Sequence, residues 1–467
     1  MEESLNSFEQ DGKYLVEQYE KLLKEKGVIF FETDEYEDII DFYINKGDFQ
    51  KATMVVDSAL VQHPSSAAFL VRKAQLLSIS QKHDASLRLL EKALLYEPAN
   101  FEIFVQIANV YDELEKYPEA IGYFRKAMSF GVNQDEILLS QAYVYENWNK
   151  YEKAAESLEL AIKINPDNYQ ALYELAYCYD YMNKPERSIE LYVGYIDDNP
   201  YSCHAWFNLG LLYAQTEKYD KAIEAYEYAG IINDQYSPAF YNLGNVYMVI
   251  GNYDKAAEAF ETSIIIEPAS AILYCQLGEC YKLMEKSDEA RSVFIRATEL
   301  DPVLSDAWEG LGLTYYYDDN YDTALFYLKK AIKLNPNNDI HWANMGHCYL
   351  SVEDFESCEK CYKRAFDLDE NCLDYIKDYI FILYCNDKPA EAVRLARQKM
   401  EEWDQHPELL ALFAGIMYES GNFSLGDNYL KTALEGDNEA HTTLFSYFWE
   451  LEENDHVLAL VQPYKTN

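Results

Sequence analysis

One period governs this chain. Trp206, Leu209, Gly210 and Tyr213 return 34 positions later as Phe240, Leu243, Gly244 and Tyr247, then as Tyr274, Leu277, Gly278 and Tyr281, and again as Trp308, Leu311, Gly312 and Tyr315. Residues spaced i, i+3 and i+7 share one face of a helix, so each set marks an apolar stripe. A second stripe repeats in step: Ala222, Tyr226 and Ala229, then Ala256, Phe260 and Ser263, then Ala290, Phe294 and Ala297, then Ala324, Leu328 and Ala331. Tight polar turns such as Lys218-Tyr219-Asp220 separate the two. Each copy is therefore an antiparallel helical hairpin, and a hairpin that recurs without spacers buries its apolar faces only against the next copy. The glycine column predicts room for a neighbouring backbone.

The phase holds from Thr33 to Ala440 in twelve units that begin at Thr33, Ala67, Phe101, Asp135, Tyr169, Cys203, Ser237, Ala271, Ser305, Asp339, Leu373 and Pro407. Positions are called slots here, counted from each of those residues. A small residue stands in the second helix of every unit, Ala256 among them, where a larger side chain would overpack, whereas Glu258 falls on the solvent side. Gly47, Gly251 and Gly421 share the slot that ends the first helix, where a left-handed backbone is cheap. Asp84, Asp220, Asp254, Asp288 and Asp322 share a slot at the start of the second, where a carboxylate caps free amides and meets the positive dipole end. Residues 1–32 fall outside the repeat and give a helical cap around Leu15, Tyr19 and Leu22. Residues 441–467 give one more capping helix, on Leu444, Tyr447, Phe448 and Leu451, and a tail.

The pattern W-x2-L-G-x2-Y, then A-x3-F, then Pro268, Pro302 or Pro336 at the end of the unit, resembles the tetratricopeptide repeat family. That resemblance implies an all-α, right-handed superhelical solenoid of antiparallel helix pairs. It also implies a concave groove, lined by slots 2, 5, 6, 9 and 12 of the first helices, that holds peptides and protein segments. Read onto this sequence, the groove offers Tyr173 and Tyr177 with Asp180, Phe207 with Asn208, Tyr241 with Asn242 and Asn245, Gln276 with Glu279, Tyr316, and Asn344 with His347. Rings cover the side chains of an extended segment, and carboxamides satisfy its backbone. Asn208, Asn242 and Asn344 share slot 6, which resembles the asparagine ladder in the repeat domain of O-linked N-acetylglucosamine transferase, although Gln276 and Gly310 interrupt it. The lysine and arginine clamp by which chaperone-binding relatives hold a terminal carboxylate is missing. Asp34, Glu37, Asp38 and Asp41 form an acidic mouth on the first unit, with no nearby base before Lys46.

Charge and motifs narrow the function. Lys and Arg number 39 against 81 Asp and Glu, a formal net charge of −42 that repels nucleic acid and anionic lipid. No apolar run reaches the roughly 18 residues of a membrane helix, and Met1-Glu2-Glu3-Ser4 does not open a signal peptide, so a cytoplasmic protein is expected. Nine cysteines sit mostly in helical stretches and read as free thiols. No P-loop, HExxH, GxSxG or GxGxxG motif is present, so no catalytic residue, metal or cofactor is assigned. Cys358 and Cys361 with His347 and Cys348 come nearest to a zinc set, but Cys358 fills the small-residue slot and packing accounts for it. The expected function is a non-catalytic scaffold or adaptor that holds an extended, neutral or basic protein segment. The alternative is an assembly component that forms a homo-oligomer through its helix faces or ends.

Overall fold

The computed structural model describes residues 14–22, 24 and 30–464, and among these every regular element is helical. Eleven of the twelve first helices start at the residue the period assigns; the fourth starts one residue early, at Gln134. The chain divides into two compact units, residues 1–216 and 217–467, each a stack of helix pairs. The slot-24 column forms the centre of each stack. Val56, Leu90, Phe124, Leu158 and Tyr192 are buried in the first unit, and Phe260, Phe294, Leu328, Tyr362 and Leu430 in the second. Each of these contributes about 1.5–3 kcal/mol of apolar burial. No helix among the described residues is long and apolar enough to cross a membrane.

The small column of the second helices is fully enclosed, Ala52, Ala120 and Ala154 in the first unit and Ala256, Ala290 and Ala324 in the second. Where serine or cysteine replaces alanine, its hydrogen goes to a fixed acceptor. Ser86 and Ser188 donate to the carbonyls of Ala74 and Ala176, and Cys358 Sγ donates to Gly346 O at 3.3 Å. These acceptors all occupy slot 8 of the first helix. A buried hydroxyl or thiol there is tolerated because it is satisfied.

Three expectations need correction. The room at the glycines is taken by an aromatic ring rather than by backbone: a Cβ on Gly244, Gly278 or Gly346 would lie under 3.0 Å from the rings of Phe260, Phe294 and Tyr362. At Gly312 a backbone atom, Ala324 O, is also among the nearest, at 3.3 Å. Second, the aspartate column lies inside the first turn of the second helices, where Asp84 and Asp254 meet the dipole, and it does not cap. The cap stands two residues earlier, where Asp48, Asn252, Asn320, Asp354 and Asn422 accept backbone amides. Third, the C-terminal cap is no single helix. Ala440–Tyr447 ends at Phe448 in a non-helical conformation, a short 3-10 turn follows, and Asn454 caps a second helix over Asp455–Val461.

The turn glycines do adopt positive φ, at +73°, +75° and +76° for Gly47, Gly251 and Gly421. The same slot is left-handed in every repeat, however, and nine repeats place Gln81, Glu115, Asn149, Asn183, Glu217, Glu285, Asp319, Glu353 or Asp387 there. At the N-terminus, residues 14–22 form a helix whose Val16 and Tyr19 cluster with Phe31 and with Tyr36 and Ile39 of the first repeat. Tyr43 Oη and Lys51 Nζ both donate to Glu20, at 3.0 and 2.9 Å.

Candidate functional site

In the first unit, helix-face slots from successive repeats converge on a concavity of about 480 Å³. Its wall includes Glu37 and Val71 from slot 5, Arg72 and Gln106 from slot 6, Gln75 from slot 9, and Glu102 from slot 2. Of these only Glu37 was singled out from the sequence, because the others carry neither a ring nor an asparagine. The acidic mouth is also less bare than expected. Arg72, one repeat on, pairs with Asp41 at 2.9 Å, while Asp34 and Asp38 stand exposed and Glu37 half-buried.

A second concavity in the same unit, of about 210 Å³, gathers Tyr173, Tyr177, Asp180 and Asn208. Tyr173 and Tyr177 lie one turn apart on the helix Tyr169–Tyr181 and are 50% and 47% exposed. Asn208 comes from the next repeat and is anchored, its Nδ2 donating to the hydroxyls of Tyr169 at 2.7 Å and Tyr192 at 3.1 Å. Phe207 is half-buried and is not part of this wall. Carboxylates stand on this helix and on the first helix before it. Burial pushes Glu146 up to about 7, against a thiol bond from Cys178 at 3.4 Å, and the nearby Glu174 adds to the rise. Glu174 is itself held by Tyr143 Oη and Gln170 Nε2, at 3.1 and 2.7 Å.

In the second unit the assigned residues stand on successive first helices, and all of Tyr241, Asn242, Asn245, Gln276, Tyr316 and Asn344 are half-buried. Tyr241 packs against Phe260 with ring centroids 6.0 Å apart. Asn242 Nδ2 donates to Pro238 O of its own helix at 2.9 Å, and Asn344 donates to the buried Glu309. The slot-6 asparagines thus spend amide hydrogens inside the chain, Asn208 both of its own and Asn242 and Asn344 one each. Glu279 pairs with Lys282 at 2.6 Å, and Ser351 Oγ donates to Tyr316 Oη at 3.3 Å. At the last two repeats the inner face is occupied by the chain itself. Tyr447 Oη donates to Asp378 at 2.6 Å, and the Phe448 ring rests on Phe381, Tyr384 and Gly415.

His347 Nδ1 lies 2.7 Å from the Tyr362 hydroxyl, and Cys348, Cys358 and Cys361 are buried with their thiols held above the usual range by desolvation. Among the described residues no three His, Cys, Asp or Glu side chains are grouped as metal ligands would be.

A search of curated proteins returns no match. Solved structures of similar fold include MamA, 25% identical over 35% of this chain and 95% of that one, with a TM-score of 0.32. YrrB, described as a TPR protein with an unusual peptide-binding site, is 22% identical over 40% and 95% of the two chains, with a TM-score of 0.33. A chain of the APC/C hetero-tetramer Cut9-Hcn1 is 14% identical over 86% and 97%, with a TM-score of 0.39. These likenesses concern the repeat fold alone. Models of the tetratricopeptide repeat match residues 101–130, 135–168, 158–190, 203–236, 237–270, 271–303, 305–338 and 342–372, which together make up more than half of the sequence. With helix pairs at the same 34-residue period on either side of that stretch, the chain belongs to the tetratricopeptide repeat family.

Proposed function

We propose that this protein is a non-catalytic scaffold whose inner helix faces hold an extended, neutral or basic segment of another protein. The repeat architecture is that of a protein-interaction scaffold. The observation that carries the finer reading is the pair of concavities in the first unit, to which slots 2, 5, 6, 9 and 12 contribute and of which the smaller is lined by half-exposed tyrosines and acceptor groups. Asp34 and Glu37 keep the entrance acidic, which favours a basic segment and makes its capture weaker as salt rises. That none of the nine cysteines is in a disulfide, six of them being buried thiols, supports residence in a reducing compartment such as the cytoplasm.

The test is affinity capture from native lysate with wild type and with a Tyr177→Ala, Tyr241→Ala variant, scored by mass spectrometry. A partner held in the groove is lost from that variant and retained by Glu258→Arg on the outer face. Equal capture by all three proteins refutes the groove, and a homo-oligomer by light scattering whose size none of the changes alters would favour assembly through other faces.

A further inference from the structure

The smaller concavity of the first unit is chemically one-sided. Its aromatic walls are Tyr173, Tyr177 and Tyr192, and its polar groups are Asp180, Asn208 and Gln215. The donors among these are largely spent. Asn208 Nδ2 donates to two tyrosine hydroxyls, and Gln215 Nε2 donates to Asp180 Oδ1 at 3.1 Å. Those bonds fix the two carboxamides, and what they leave to a visitor is one Gln215 N–H against three oxygens: Asn208 Oδ1, Gln215 Oε1 and Asp180 Oδ2. No lysine or arginine lines the wall. Its volume of about 210 Å³ corresponds to on the order of seven waters at about 30 Å³ each, or one long side chain.

We propose that this concavity is a recognition pocket for an arginine side chain of the bound segment. The inference rests on the groove reading above and narrows it to one side chain. A guanidinium supplies five N–H donors and no acceptor, which complements three oxygens with few hydrogens to offer. Its planar, weakly hydrated cation stacks on tyrosine faces, and Tyr173 and Tyr177 expose theirs within one turn of each other. Asp180 gives the charge partner at the rim. Lysine meets the charge but not the stacking or the fork, so it fits less well. An aromatic or aliphatic side chain would cover the rings and leave the carboxylate and both amide oxygens unpaired.

The experiment is selection of a displayed library of random twelve-residue peptides on the full chain, followed by fluorescence-anisotropy titration of the winners. The expected winners carry arginine at one fixed position. Its replacement by leucine weakens binding about tenfold or more, and by lysine about threefold, consistent with one cation–π contact plus one ion pair. In Tyr177→Ala with Asp180→Asn the same replacements change affinity less than about twofold, while the melting temperature stays within a degree or two because both residues are exposed. Winners that lack a fixed arginine, or whose arginine is indifferent to the two substitutions, overturn the pocket and leave the groove standing. Failure to select any peptide that competes with another counts against the groove itself.

Discussion

Glu309 gives the sharpest test of the inner face. It stands in slot 5 of the ninth repeat, is 8% exposed, and accepts a hydrogen bond from Asn344, with Lys282 nearby but paired to Glu279. Burial pushes its carboxyl from the ordinary 4.5 up to about 7. Between those limits the folded protein keeps a proton that the unfolded chain has released, so stability falls as pH rises through the window and is unaffected below it. The full cost is about 3 kcal/mol at 1.36 kcal/mol per unit, and the part that falls between pH 5.5 and 8 is about 2 kcal/mol. Glu309→Gln keeps the shape and the acceptor for Asn344 but removes the titration. Its gain over wild type should be about 2 kcal/mol larger at pH 8 than at pH 5.5, reduced by whatever attraction Lys282 loses. Because repeat stacks need not unfold in one step, urea melts by far-UV circular dichroism are best paired with hydrogen exchange of Ser305–Tyr317. A gap between the two proteins that is the same at both pH values would refute the argument.

Further outcomes follow from the packing. Ala256→Arg buries an unpaired charge in a fully enclosed slot and should cost about 3 kcal/mol or more, whereas Glu258→Arg on the exposed side should shift the melting temperature little. Asn208→Ala should destabilise by about 1–3 kcal/mol, because it strands the buried Tyr192 hydroxyl, and Asn242→Ala by less, since only a helical carbonyl loses a partner; equal effects in denaturant melts would contradict this. Glu285→Gly, at a φ of +58°, should stabilise by about 0.5–1 kcal/mol, and a loss would show that the glutamate side chain has an unrecognised role.

Most of the fold was legible because a strict period multiplies weak evidence: one hairpin is ambiguous, twelve in phase are not. What filled the spaces was less so. The ring on each inner glycine sits sixteen positions ahead, Gly244 to Phe260, Gly278 to Phe294 and Gly346 to Tyr362, so both halves of the contact were in view, yet an empty slot does not say whether backbone or side chain will enter it. The break at Phe448 had no periodic signal at all, because it answers to Gly415 and Tyr384, which lie in other helices.

The inner face follows a rule that a single-repeat reading misses. Adjacent first helices most often pair residues 31 or 35 apart, a little less and a little more than the period. At 31 stand Asp41 with Arg72, Tyr143 with Glu174, and Lys377 with Glu408. At 35 stand Asp112 with Asn147, Asp180 with Gln215, Glu309 with Asn344, and Tyr316 with Ser351. The offsets arise because neighbouring helices are staggered, so a side chain meets the turn before or the residue after its own equivalent. Reading charge along one helix therefore left the mouth without a base, although Arg72 stands 31 residues after Asp41. Reading amides slot by slot left Asn344 free for a ligand, although Glu309 precedes it by 35. A residue on this face is available to a partner only after its counterparts at both offsets have been considered, and that consideration is what joins Asp180 to Gln215 as one edge of the acceptor-rich wall that Asn208 completes.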